Sequence, residues 1–271
     1  MLIHFYKMNG AGNDFVVVDN RDLSLELTRE RIALLCDRHR GVGADGLLAV
    51  EPAEDGADFK FRYYNADGGE AEMCGNGARC FGRFTAALME EVPERVTFET
   101  IAGTLAAEMV DENIRIAMSD PVDLEMDSGA KVPGLDGTLR YVNTGVPHVV
   151  AFVDDLESTD VVTHGRAIRH HERFAPNGTN ANFVQVLKPG HIAIRTYERG
   201  VEDETLACGT GMVASALFHH LRSGDPSPIK VDVKGGETLE IGFEQAGERQ
   251  FRKVTLTGPA DFVFEGDIEI P

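Results

Sequence analysis

The chain has 271 residues, an ordinary hydrophobic content of 42% and a formal charge of −19. Its length suffices for two ordinary domains or one large one with a full core, its charge opposes nucleic acid and anionic membrane surfaces as partners, and no apolar run approaches the roughly 20 residues of a bilayer-crossing helix. Residues 1–8 alternate and form no signal peptide, so a cytoplasmic protein is expected, with its four cysteines, Cys36, Cys74, Cys80 and Cys208, reduced.

In chain order, Leu2 to Met8 and Phe15 to Asp19 read as strands around the turn-rich Asn9-Gly10-Ala11-Gly12-Asn13. Thr28 is suited to cap a helix running through Ile32, Leu34, Leu35 and Cys36, with Gly41 as its expected terminator; Cys36 then lies on the apolar stripe as a small buried hydrophobe. The glycines of 41–46 and 65–69 are turn punctuation, because neither a Gly-Lys-Ser/Thr nor a dinucleotide spacing accompanies them. Strands are expected at 47–50 and 59–64. The segment Met73-Cys74-Gly75-Asn76-Gly77-Ala78-Arg79-Cys80 runs into an apolar-periodic stretch, Phe81 to Met89, that reads as a helix. Alternation over 96–101, 105–110 and 114–118, with turns at Ala102-Gly103 and 111–113, predicts an antiparallel meander.

Asp120-Pro121 breaks this pattern and 126–137 is polar and rich in glycine and proline, which places a domain junction near Ser119: 1–118 plus 262–271 form one domain, 119–261 the other. The second half repeats the order of the first. Strands at 141–143 and 148–153, a short helix near 166–171, and strands at 182–187 and 191–197 precede Ala207-Cys208-Gly209-Thr210-Gly211-Met212. That motif again opens an apolar-periodic helix, to Leu221, with strands following at 229–233, 239–243, 254–256 and 262–264. An internal duplication is the economical explanation.

Each of Cys74 and Cys208 therefore sits at a helix N-terminus, where unpaired N–H groups and the helix dipole favour anions and thiolate over thiol. If the halves pack about a pseudo-twofold axis, the two cysteines meet in one cleft. A nucleophilic cysteine would want a histidine base, and neither motif carries one locally; a redox dithiol would favour C-x-x-C; a passive anion site would need no thiols. A structural metal is poorly supported, since the doublets His170-His171 and His219-His220 lack ligand spacing beside a cysteine pair. Inversion of an acidic stereocentre, which needs a base on one face of a carbon and an acid on the other, accounts for more of the pattern.

The stretches Asn9-Gly10-Ala11-Gly12-Asn13-Asp14-Phe15, Asn65-Ala66-Asp67-Gly68, Cys74 to Cys80, Glu198-Arg199-Gly200 and Ala207 to Gly211 resemble the diaminopimelate epimerase family, in order and over essentially the whole chain. The resemblance implies an α/β (α+β) fold of two pseudo-symmetric domains, each a mostly antiparallel sheet wrapped around a central helix, with the active site between them. It also implies cofactor-independent interconversion of LL- and meso-diaminopimelate, on the route to lysine and the peptidoglycan cross-link, by a homodimer. Cys208 would be the base toward the LL substrate and Cys74 the acid, with His148 and Glu198 assisting. Gly75, Asn76, Gly209 and Thr210 would hold the reacting carboxylate, and Asn13, Asn65, Asn180, Glu198 and Arg199 would bind the substrate, with no metal or other cofactor. Gly46, Val146 and the stretch Glu202 to Thr205 depart from the family pattern. A proline-racemase-type enzyme and a non-catalytic small-anion binder are the alternatives.

Overall fold

The computed structural model describes residues 1–71, 74–101 and 103–271; Met73 of the first cysteine motif and Ala102 of the expected turn lie outside them. The chain divides into two compact units, residues 1–116 with 258–271, and residues 117–257. The first unit takes β1 (Leu2–Gly10), β2 (Asn13–Asp19), α1 (Arg29–Cys36), β3 (Gly46–Glu51), β4 (Phe59–Asn65), α2 (Gly75–Ala87), β5 (Arg95–Thr100), β6 (Gly103–Val110) and most of β7 (Asn113–Ala117). The second takes β8 (Val122–Glu125), β9 (Arg140–Asn143), β10 (Pro147–Phe152), α3 (Val161–Arg169), β11 (Asn180–Lys188), β12 (His191–Glu198), β13 (Asp203–Thr205), α4 (Gly209–Ser223), β14 (Ile229–Asp232), β15 (Thr238–Gly247) and nearly all of β16 (Gln250–Gly258). The last strand, β17 (Asp261–Glu269), returns to the first unit.

Strand pairing repeats. In the first unit β17–β1 and β1–β2 are antiparallel, β2–β3 parallel, β3–β4 antiparallel, β4–β5 parallel, and β5–β6 and β6–β7 antiparallel. In the second, β8–β9, β9–β10, β10–β11, β11–β12, β12–β14, β14–β15 and β15–β16 follow in the same sequence of directions. A parallel pair needs a crossover, and a helix supplies each: α1, α2, α3 and α4 lie in the four connections between parallel neighbours. The extra β13 pairs with β12 across the turn at Arg199-Gly200, where Gly200 takes a φ of 96°. Its three residues, Asp203–Thr205, fall within the stretch Glu202 to Thr205.

Both cysteine helices are central to their units. On α2, Ala78, Cys80, Phe81 and Phe84 are buried, and on α4 Met212, Val213, Ala214, Ala216, Leu217 and Phe218. A helix apolar on so much of its circumference must be covered on several sides, and strands β1, β2, β3, β5 and β6 touch α2 as β9, β10, β11, β12, β14 and β15 touch α4. Burial of each large side chain contributes about 1.5–3 kcal/mol. Gly82 lets α2 approach β6, since a Cβ there would stand 2.3 Å from that of Ala107. Phe61, Phe81 and Phe98 close this core with ring centroids 4.9–5.8 Å apart.

Strands β15, β16 and β17 run beyond the expected 239–243, 254–256 and 262–264, β8 and β13 add to the expected strands, and two helix boundaries also differ. Helix α1 ends at Cys36, well before Gly41, because Asp37 turns extended (φ −68°, ψ 121°) and its carboxylate accepts the His39 and Arg40 N–H groups. Gly41 serves close packing instead: a Cβ there would lie 1.9 Å from the Leu34 carbonyl oxygen. Helix α3 begins at Val161, where Asp160 accepts from the Thr163 N–H, and ends at Arg169 with the two buried anchors Val161 and Ile168 two turns apart. None of the helices described is long and apolar enough to cross a membrane.

Candidate active site

In the first unit Cys74 is the N-cap of α2 (φ −132°, ψ 122°) and is half-buried. The amide groups of Gly75 and Asn76 open the helix, among the N–H groups that lack an intrahelical acceptor. The side chain of Asn76 is buried and committed: its Nδ2 donates to Asn13 Oδ1 at 2.6 Å, and its Oδ1 accepts from Arg79 Nη2 at 3.0 Å. Arg79 is fully buried and also donates to the Pro259 carbonyl, so it ties the helix start to the C-terminal segment of the same unit. Asn13 donates in turn to Asp45 Oδ2 at 2.9 Å, and Asp45 pairs with Arg38, which pairs with Asp14. Burial alone would raise the Asp14 carboxyl, but hydrogen bonds from Arg38 and Lys7 and the Lys7 charge hold it down to about 2. Asn13 and Asn76, next to Cys74 at the start of α2, thus belong to one polar cluster.

Asn65 closes β4 and is exposed; its Oδ1 accepts from the Tyr63 hydroxyl at 2.9 Å. Gly46, opposite Asn65 in the β3–β4 pairing, is glycine for space: a Cβ would lie 2.6 Å from the Tyr64 carbonyl oxygen and 2.8 Å from Tyr63 Cε2. A tyrosine ring therefore occupies the side of β4 where residue 46 has no side chain.

In the second unit Cys208 is the N-cap of α4 (φ −126°, ψ 108°) and is buried. Three groups reach its sulfur. The Thr210 hydroxyl lies 3.6 Å from Sγ, and the Gly211 N–H and the Glu198 carboxyl group stand beside it. Glu198 ends β12 and also accepts from the Thr205 hydroxyl at 2.5 Å. His148 Nε2 is 2.8 Å from Thr210 Oγ1, and Thr144 Oγ1 donates to the Thr210 carbonyl at 2.9 Å. The missing local histidine of the cysteine motif is supplied by β10, 62 residues away in sequence.

Electrostatics here run against the simple dipole expectation. Burial first, and the adjacent Glu198 charge second, push the Cys208 thiol well above its ordinary value, outweighing the Thr210 hydroxyl and the Gly211 N–H. A helix N-terminus contributes about 0.3–1 kcal/mol at an exposed surface, which burial of a thiolate readily exceeds. Cys208 accordingly rests as a thiol. Burial also raises the Glu198 carboxyl, against the hydrogen bonds from Thr205 and Cys208. His148 is driven down to about 3 by burial and by the Arg199 charge, so it is neutral at physiological pH.

Asn180 works inside the protein: its Nδ2 donates to the Pro147 carbonyl at 3.0 Å and its Oδ1 accepts from the Arg199 N–H at 2.8 Å. It joins the strand bearing His148 to the turn bearing Arg199. The Arg199 guanidinium donates to the Asn177 carbonyl at 3.4 Å and has no carboxylate partner among the described residues. The expected residues fall into two groups by unit, Asn13, Asn65, Cys74, Gly75 and Asn76 in one, His148, Asn180, Glu198, Arg199, Cys208, Gly209 and Thr210 in the other. Sequence reasoning missed Arg79, Thr144, Asn182 and Thr205. Arg79 lies within the first cysteine motif and a buried arginine one turn from its asparagine could have been suspected; the other three carry no local signal.

The remaining thiols are inert by environment. Burial raises Cys36 and Cys80 to about 12, and Cys80 is fully enclosed behind Gly10, whose Cβ would stand 3.0 Å from its sulfur. Cys36→Ala and Cys80→Ala should leave activity unchanged and cost on the order of 1 kcal/mol of stability from lost packing, as read by denaturant unfolding and initial rates. Activity loss in either would assign it a role in the reaction.

The description of the matching family model is diaminopimelate epimerase, and it covers residues 5–124 and 140–263. A diaminopimelate epimerase from Chlorobaculum tepidum is 42% identical over 97% of this chain and 100% of its own length. One from Aquifex aeolicus is 43% identical over 97% of both chains. Among solved structures, a phenazine biosynthesis protein of the PhzF family from Bacillus anthracis superposes with a TM-score of 0.75 at 19% identity, covering 100% of each chain, which shows a shared fold.

Proposed function

The chain belongs to the diaminopimelate epimerase family, and on that premise we propose that it interconverts LL- and meso-diaminopimelate, as an isomerase of lysine and peptidoglycan-precursor biosynthesis that works without pyridoxal phosphate. Cys208 takes the α-proton of the LL substrate and Cys74 supplies a proton to the other face, the roles exchanging in reverse. The observation that carries this assignment is the setting of Cys208: a thiol at the mouth of a buried helix, with the Glu198 carboxyl group beside it and the Thr210 hydroxyl 3.6 Å from its sulfur. The proton can pass from Sγ to the Glu198 carboxylate, leaving a thiolate that the Thr210 hydroxyl and the Gly211 N–H stabilise.

The helix-opening amides of Gly75 and Asn76, and of Gly209 and Thr210, suit a carboxylate on which charge grows as the α-proton leaves. Arg199, a guanidinium without an ion pair among the described residues in a chain of net charge −19, suits the second carboxylate of a doubly zwitterionic substrate. That favours diaminopimelate over a substrate with one amino-carboxylate end. The test is incubation with LL-diaminopimelate in D2O: deuterium enters the α-position and the meso isomer accumulates. Recovery of unlabelled LL substrate would end the proposal.

The working enzyme is a cytoplasmic homodimer in this reading. On the first unit Phe262, Val263 and Phe264 of β17 are 45%, 57% and 51% exposed. Three consecutive large apolar residues exposed on one strand are a natural place for a second copy. Val263→Asp should shift the protein toward monomer in sedimentation velocity; an unchanged dimer would move the interface elsewhere, and a monomeric parent chain would remove it.

A further inference from the structure

We infer that Asn182 is a positioning residue whose carboxamide, held one way round by a backbone carbonyl, fixes His148 as the neutral Nε2–H tautomer and thereby aims the Thr210 hydroxyl proton at Cys208 Sγ. The inference deepens the proposed reaction and rests on Cys208 being one of its proton carriers.

Asn182 is fully buried on β11. Its Nδ2 is 2.9 Å from the Val149 carbonyl oxygen and 3.1 Å from His148 Nδ1, and its Oδ1 is 3.0 Å from Thr196 Oγ1. The reversed amide would set two acceptor oxygens against each other at Val149, so the Nδ2 must face both that carbonyl and the imidazole. An amide N–H directed at Nδ1 makes that nitrogen an acceptor. In a neutral ring the proton then resides on Nε2, which donates to Thr210 Oγ1 across 2.8 Å. An oxygen that already accepts from Nε2 keeps its own hydrogen for another partner, and Cys208 Sγ at 3.6 Å is the acceptor beside it.

The donors therefore run in a single direction, from Thr196 to Asn182 to His148 to Thr210 to Cys208. Each buried member has its partners satisfied only in this order. Two features hold the chain rigid. Gly211 has no side chain where a Cβ would stand 2.3 Å from Asn182 Oδ1, and the Thr144 hydroxyl pins the Thr210 carbonyl. The charged groups facing the assembly are Arg199, whose field adds to burial in keeping His148 neutral, and Glu198 beside the sulfur. His148 then serves as a fixed dipole and carries no proton of its own to the substrate.

The experiment has two arms. In ligand-free protein labelled with 15N-histidine, His148 should show protonated Nε2 and bare Nδ1 from pH 6 to pH 9; an Nδ1–H tautomer or an imidazolium in that range overturns the inference. Asn182→Asp replaces the donor by an acceptor of the same shape, which draws the proton to Nδ1, turns Nε2 into an acceptor and swings the Thr210 hydroxyl toward it. Iodoacetamide should then alkylate Cys208 about tenfold more slowly at pH 8, its pH profile displaced upward by about one unit, while Cys74 in the same molecules reacts as before. A Cys208 profile unchanged from the parent overturns the inference. Alkylation reads the thiol itself, so it decides the matter even if the parent chain proves inert toward diaminopimelate; if Asn182→Asp fails to fold, the tautomer of the parent protein decides it.

Discussion

Cys208→Ala should abolish epimerisation, with turnover down by at least about 10³-fold, because Glu198 acts through the sulfur and no other thiol stands at the start of α4 among the described residues. The fold should survive: Cys208 is an N-cap whose peptide carbonyl makes the first helical hydrogen bond, to the Met212 N–H, and that bond does not involve the side chain. Cys74→Ala should be equally inactive. Either variant at parental rates would sink the two-thiol mechanism. The same residue sets the alkaline behaviour of the parent enzyme. Its thiol is displaced upward by burial and by Glu198, so the thiolate fraction is small at neutral pH and grows as pH rises. The kcat/KM for the LL substrate should therefore climb from pH 7 into the alkaline range, and a rate falling over that interval would contradict Cys208 as base.

Glu198→Gln should lower kcat by about 10²–10⁴-fold, the range in which a positioned proton acceptor contributes, and should disturb KM less. The carboxylate accepts the Thr205 hydroxyl and stands beside the Cys208 thiol, and a carboxamide of the same shape can keep the Thr205 bond but cannot take up a proton. The acid side of the pH profile follows from the direction of the Glu198 displacement. Its carboxyl is raised by burial, so it becomes protonated, and unable to accept, at a pH above the ordinary carboxylate range. Activity of the parent should fall as pH drops through that raised value, and the limb should vanish from the residual activity of Glu198→Gln. A variant with kcat within a few-fold of the parent, or with the acid limb intact, would remove Glu198 from the proton path.

Part of this site was legible in the chain alone. The spacing of apolar residues after Cys74 and Cys208 predicts the two helices, and a cysteine followed by glycine and a small polar residue places each thiol at a helix start, where the backbone itself provides the anion-binding amides. These are local properties, set by residues within a turn or two of one another. The repeated order of elements was visible for the same reason, since strand alternation and glycine-rich turns act over a few residues. Thr28 as the cap of α1 is the simplest instance: its hydroxyl accepts the Arg31 N–H as the sequence predicts.

Burial and long-range pairing are not local, and they decided the chemistry. A helix N-terminus predicts a lowered thiol; the packing around Cys208 and the approach of Glu198 reverse the direction, because desolvation of a charge outweighs a dipole of fractional charge. The imidazole that Cys208 lacks nearby comes from β10 through the parallel pairing of His148 with Asn180. Asn182 reads in sequence as one of several polar residues of its strand, and only its distances to the Val149 carbonyl and the His148 ring give it a role. Gly46 reads as a turn glycine and is instead the space that Tyr63 occupies. Composition and periodicity determined which elements form and where the thiols stand along them; the tertiary structure alone determined which protonation state the surroundings of Cys208 favour, since that depends on water excluded and partners delivered by segments far apart in the chain.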